Sequence, residues 1–349
     1  MSIVAKLFLG GLVLLVITVT VLSYLGILAD PFSKFLDLLG YDQDVAPIEG
    51  TAVLVLRDIT GNEPVDGLYL FNIYAEKLEK ASGLPLDYST DFIPSIFNHL
   101  NSLLAFSNSA SSSEPAQIVL LNKPRGTSEF KSVKLTESKS YFKRDITLSG
   151  DDDILAFAAL DKADPNDDPY SFGPSSWSIF VVPDSDRKEQ FVTNGKSPTF
   201  GPDRQILFIK DDGIYMTDVN NKSEIKIYDA GENALIARDQ LGISLDNNLL
   251  ALSQPLSQKL RIFSISSWSP FSMSLLKEID GPGLQPTFSP DGNYVMRYLL
   301  VPSEESEYDT VGQIGAYNIR DGLYTPIFTL NGFDPYKTSV AGWRFLKSE

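Results

Sequence analysis

The chain has 349 residues, with 29 basic and 45 acidic side chains and a net charge of −16. That balance excludes nucleic acid as a partner, since binding phosphates needs a basic footprint. With no cysteine and one histidine, disulfides, thiolate nucleophiles and the usual zinc sites are excluded as well.

Ile3–Leu28 is apolar apart from Lys6, and Leu7–Leu28 carries no charge. Helical residues rise 1.5 Å each, so this run reaches about 33 Å, enough to cross a hydrocarbon core of about 30 Å. No small-x-small cleavage site follows Leu28 directly, so residues 1–29 are read as a retained transmembrane anchor rather than a cleaved signal. Lys6 and the amino terminus precede the span, which places the N-terminus in the cytoplasm and the bulk of the chain on the extracytoplasmic side. Residues 30–50 then form a juxtamembrane amphipathic stretch, Pro31–Leu39, and a short acidic linker.

From Thr51 onward, short apolar runs alternate with Gly, Asn, Asp, Ser and Pro clusters, a strand-and-turn pattern. The predicted strands are Ala52–Leu56, Leu68–Ile73, Ile118–Leu121, Ile154–Ala158, Ile179–Val182, Ile206–Ile209, Ile214–Thr217, Ile225–Tyr228, Leu249–Leu252, Leu260–Ile265, Tyr294–Leu300 and Ile314–Ile319. Two hairpins share one signature: Gln285–Tyr298 (QPTFSPDGNYVMRY) and Ser197–Ile209 (SPTFGPDRQILFI). Proline presets φ at the first corner, aspartate bonds back to the backbone, and glycine accepts the positive φ that closes the turn. Alignment on Pro286 gives Pro94, Ile146, Pro198, Leu241 and Ala341 as equivalents. The spacing of roughly 40–55 residues, with four strands per unit, is the period of a β-propeller blade. The last run, Ser339–Phe345, reads as an inner strand with nothing after it, and Thr51–Asp58 as a second strand lacking an inner one. Pairing them closes the ring and removes an open sheet edge. Residues 51–349 are therefore expected to be an all-β, six-bladed propeller.

The segments SPTFGPDRQILFIKDDGIYMTDV and QPTFSPDGNYVMRY resemble the TolB-type propeller repeat, a WD-repeat-like unit of bacterial envelope proteins. The resemblance implies an exported propeller that works by binding other proteins. It does not extend to an α/β domain before the blades.

The catalytic inventory is thin. A Ser-His-acid site would have to use His99, which aligns with a turn position, and no G-x-S-x-G elbow exists in the sequence. Asp161–Asp168 (DKADPNDD) crowds four carboxylates into one loop, but the spacing and the missing glycine are not those of an EF-hand. No enzyme activity, cofactor or metal is expected. Asp203 and Asp291 are read as turn residues.

Long insertions fall at one loop type, at Ser107–Pro115, Asp161–Ser176 and Val301–Val311. Loops on a rigid scaffold are where function concentrates. The candidate partner-binding residues are Asp161, Asp164, Asp167, Asp168, Tyr170 and Phe172 in the second insertion. In the third they are Glu304, Glu305, Glu307, Tyr308 and Asp309. Carboxylates mixed with aromatics suit a basic protein or peptide, with buried area from the rings and steering from the acidic rim. Asp145, Ser197, Gln240 and Gln285, just before the inner-strand anchors, are expected at the channel mouth on that same face. The expected function is a membrane-anchored, non-enzymatic protein-binding scaffold at the cell envelope. The alternatives are a calcium-dependent hydrolase or small-molecule sensor at the channel mouth, and a self-assembling surface component.

Overall fold

The computed structural model describes residues 48–344, apart from 62–64, 81–92, 98–102, 109–114, 123–130, 152, 162, 165, 184–187, 282–283 and 304–309. The expected anchor, the amphipathic stretch, nearly all of the linker, His99 and the acidic residues 304–309 lie outside the described residues. Among those described, no helix is long and apolar enough to cross a membrane.

Strands β1 (Thr51–Asp58), β2 (Val65–Asn72) and β3 (Lys77–Lys80) open the described chain. A second set follows as β4 (Ile93–Phe97), β5 (Leu103–Asn108), β6 (Gln117–Asn122) and β7 (Lys131–Lys134). The third is β8 (Phe142–Leu148), β9 (Ile154–Leu160), β10 (Ser178–Pro183) and β11 (Gln190–Asn194). The fourth is β12 (Lys196–Phe200), β13 (Gln205–Lys210), β14 (Gly213–Asp218) and β15 (Ile225–Asp229). The fifth is β16 (Gln240–Ile243), β17 (Leu249–Gln254), β18 (Lys259–Trp268) and β19 (Phe271–Asp280). The sixth is β20 (Leu284–Phe288), β21 (Tyr294–Pro302), β22 (Thr310–Asn318) and β23 (Tyr324–Leu330), after which β24 (Ser339–Arg344) ends the described chain.

Five four-stranded antiparallel sheets are built from consecutive strands, and a sixth is composite, in the order β24-β1-β2-β3. The chain-end pairing matches Thr51 with Arg344 and Val55 with Ser339. All six aligned positions, from Pro94 to Ala341, fall on the strand at the inner end of their sheets. Those strands touch in succession, β4 to β8, β12, β16, β20 and β24, and β24 touches β4. This is a β-propeller arrangement.

Consecutive sheets stack face to face, which explains why the second strands read as unbroken apolar runs. Along β13 the side chains alternate. Ile206 and Phe208 pack with Ile154, Ile179 and Val181 of the preceding sheet. Leu207 and Ile209 pack with Leu250, Leu252 and Phe263 of the next. The same interleaving joins the fifth and sixth sheets through Ile262, Phe288, Val295 and Tyr317. The composite sheet meets the sixth through Phe71 against Phe328, with ring centroids 4.5 Å apart. Trp343 of β24 is fully buried and donates its indole N–H to Glu49 O at 2.8 Å.

The repeated turn closes as its chemistry dictates. Ser289 Oγ donates to Asp291 Oδ1 at 2.5 Å, and Asn293 N donates to the same carboxylate at 3.0 Å. Gly292 holds φ 73. Ser244–Asp246–Asn248 repeats the arrangement at 2.6 and 3.2 Å. Asp203 takes φ 54 in the fourth sheet. These aspartates are turn residues.

Candidate binding face at the channel mouth

In an antiparallel sheet of this order, the start of the innermost strand, the end of the second and the loop to the third share one end. That end carries the long insertions, and the repeated turns lie at the other.

Five innermost strands (β4, β8, β12, β20 and β24) carry a register shift, and the bulge re-aims the backbone at the mouth. Asp145 and Ser197 sit in these bulges at φ 53 and 52, the left-handed region. Both expected channel-mouth residues tie neighbouring strands together. Asp145 accepts from Ser197 N at 3.3 Å and from Lys196 Nζ at 2.5 Å. Ser197 Oγ in turn accepts from Leu241 N at 2.9 Å. Gln240 begins β16, whose pairing is unshifted, and Gln285 lies in β20.

Behind this row lies a set of buried cations that sequence reasoning did not single out. Lys196 is 2 % exposed, and its ammonium lies 5.0 Å from the Trp177 ring centroid. Lys143 donates to the carbonyls of Ala116, Ser138 and Ser140, and burial pushes its pKa down to about 8. Arg297 is fully buried over the Tyr317 ring, and burial lowers its pKa to about 10. Asp239 is buried too and accepts from Ile236 N at 3.0 Å and Gln254 Nε2 at 3.4 Å. Burial raises it to about 6, against the pull of those bonds and of Lys196. The available signal was position, because Lys143, Lys196 and Asp239 stand within two residues of the expected mouth residues.

The insertion between β9 and β10 is anchored rather than loose. Phe172 is half-buried against a small core of Ala158, Leu160, Ala163 and Trp177. Asp161 accepts from Ser140 Oγ, Asp167 from Asp164 N at 2.8 Å, and Asp168 caps the 3₁₀ turn Pro169–Ser171 through Tyr170 N at 3.0 Å. The carboxylates crowded in sequence thus serve separate local bonds. Among the described residues, no three His, Cys, Asp or Glu side chains are placed to hold a metal. Ser175 N donates to Asp211 of the fourth sheet at 3.4 Å, and Asp211 N donates back to Ser175 Oγ at 3.3 Å.

Tyr170 brings distant parts of the mouth together. Its hydroxyl accepts from Arg144 Nη1, and the Arg144 guanidinium carbon lies 4.7 Å from the ring centroid. The Arg238 guanidinium, just ahead of β16, lies 4.8 Å from the same centroid. Arg144 belongs to β8, so one tyrosine spans innermost segments on either side of β12. The structure thereby joins one predicted partner residue to two arginines the sequence reading passed over.

Solved structures share this fold. TolB from Acinetobacter baumannii superposes with a TM-score of 0.56 at 17 % identity over 84 % of this chain, which spans only 65 % of that protein. A nidogen/laminin complex superposes at 0.55 with 8 % identity, covering 84 % of this chain and 98 % of that one. A putative TolB from Agrobacterium tumefaciens gives 0.50 at 12 % identity, covering 86 % and 99 %. No family model matches the sequence, and no curated protein matches it. The fold is a TolB-type β-propeller.

Proposed function

We propose that this chain is a non-enzymatic scaffold whose six sheets act as six blades of one ring closed by its two ends. Its insertion-bearing face binds a protein partner. The observation that carries this reading is the 161–177 insertion, seated on Ser140 and Arg144 of one side and on Asp211 and Arg238 of the other. Such a pre-ordered, non-repeating surface binds with little loss of loop entropy. The shared fold supports it, since one of the similar structures is itself a complex of two proteins. In this proposal residues 1–29 tether the propeller to the membrane on its extracytoplasmic side. The acidic rim, with Asp164, Glu304, Glu305, Glu307, Tyr308 and Asp309, meets basic groups of the partner.

The test is site-specific photo-crosslinking in cells. A photoreactive residue at Asp164, on the insertion, is expected to yield a protein adduct, whereas one at Asp203, in a repeated turn, yields none. Adducts from Asp203 alone would place the working face at the other end and reject this reading.

A further inference from the structure

We infer that Arg144 and Arg238, held on the Tyr170 ring, form a binding site for a carboxylate at the channel mouth. The inference rests on the protein-binding reading only for the expected source of that carboxylate, an acidic segment of the partner.

The first ground is charge. Two guanidiniums lie within 5 Å of one ring centroid, hence within about 10 Å of each other, and like charges at that range repel unless an anion offsets them. The ring's electron-rich face attracts each cation, but that attraction does not remove the repulsion between them.

The second ground is that the nearby carboxylates are committed elsewhere. Asp145, next to Arg144, is held by Lys196 and Ser197. Asp239, next to Arg238, is buried and bonded to Ile236 and Gln254. Asp168 spends its oxygen on the Tyr170 amide. Among the described residues neither arginine has an ion pair, and Arg238 has no hydrogen bond. In a chain of net charge −16, a cation pair with no acidic partner among the described residues is unexpected for a surface that only needs to stay soluble.

The third ground is donor geometry. Arg144 Nη1 is used on the tyrosine hydroxyl, while its buried Nε–H has no hydrogen-bond partner. A buried donor left unmet is costly. Arg238, with no hydrogen bond among the described residues, keeps its whole N–H fork open, the arrangement that carboxylates accept bidentately. Arg238 is exposed, so an incoming group can reach the pair from solvent. The acidic rim and the cationic mouth then read opposite charges on one partner, which fixes its register.

The experiment is calorimetry on the full chain in detergent with three probes: succinate, a capped hexaglutamate peptide and a capped hexaglutamine control. The acidic peptide is expected to bind and the control not. Arg144→Gln and Arg238→Gln are each expected to weaken binding about tenfold or more. Arg238→Lys, which keeps the charge but loses the fork, should recover only part. Arg238 is exposed, so Arg238→Gln is expected to keep the parent's cooperative unfolding, and its binding is read at a temperature where its melting curve shows it folded. Succinate binding as tightly as the peptide would support the site and make its source a small carboxylate. If neither acidic probe binds, or if both bind the variants as they bind the parent, the inference is overturned. Acidic probes that bind while Asp164 yields no adduct would sink the protein-partner reading alone. An adduct from Asp164 with no binding of acidic probes would sink the carboxylate site alone.

Discussion

The two ends of this propeller are stabilised by different means. At the turn end Asp291 and Asp246 are satisfied within their own turns, Asp291 by Ser289 and Asn293 and Asp246 by Ser244 and Asn248. At the mouth, charged groups find partners far away in sequence: Lys196 meets Asp145, Tyr170 meets Arg144 and Arg238, and Ser175 meets Asp211. Local satisfaction makes a turn portable, so it can be copied from sheet to sheet. Cross-sheet satisfaction makes a surface unique, because each pairing depends on which sheets are neighbours.

The largest expected contrast comes from breaking a cross-sheet pair. Lys196→Met leaves Asp145 in a mostly buried position without its cation, and losing one partner of such a pair costs about 3–5 kcal/mol. Urea unfolding should show this as a lower midpoint at unchanged slope. A midpoint equal to that of the parent would mean the mouth is not held together by this bridge.

Next in size is a pH effect confined to the mouth. Burial raises Asp239 to about 6, whereas the unfolded chain titrates near 3.8. The folded state therefore holds the proton more tightly, and this group's contribution favours folding at low pH and is lost as pH rises from about 4 to 6. Asp239→Asn removes that slope, and the difference between variant and parent should change by about 2–3 kcal/mol between pH 4 and pH 7. Parallel pH profiles for the two proteins would assign the slope to other groups.

The smallest effect belongs to the turn end. Partial burial raises the pKa of Asp291, but the bonds from Ser289 and Asn293 outweigh it and leave the carboxyl below its ordinary value. Ser289→Ala removes the bond to Asp291 and the one Ser289 Oγ accepts from Tyr294 N at 2.9 Å, and should cost about 1–2 kcal/mol. Crosslinking from Asp164 is expected to be unchanged in that variant. A change there would show that the two ends communicate.

The repeated architecture was legible because it rests on local rules. Pro-Asp-Gly and Pro-Asp-Arg turns state their own backbone conformation, and runs such as Ile154–Leu160 are apolar throughout because both faces of the strand are covered. The pairing of Thr51–Asp58 with Ser339–Arg344 was readable from the pieces each end lacked. The mouth was legible only in part. Asp145 and Ser197 were singled out for their place just before the inner-strand anchors, but their role as ties between strands depends on a bulge that composition does not announce. Phe172, expected as a contact residue, packs half-buried against the insertion's own core, a contact its sequence position does not announce.

The sequence by itself determined the repeated turns, the alignment of the inner strands and nearly all the second and third strands, while of the outermost strands it showed only Ile225–Asp229. Strand periodicity and turn chemistry act within a few residues, so they survive being read in one dimension. Only the tertiary structure decided that Arg144 and Arg238, 94 positions apart, share one tyrosine ring. That pairing follows from stacking the sheets about an axis, and charge interactions depend on distance in space rather than along the chain.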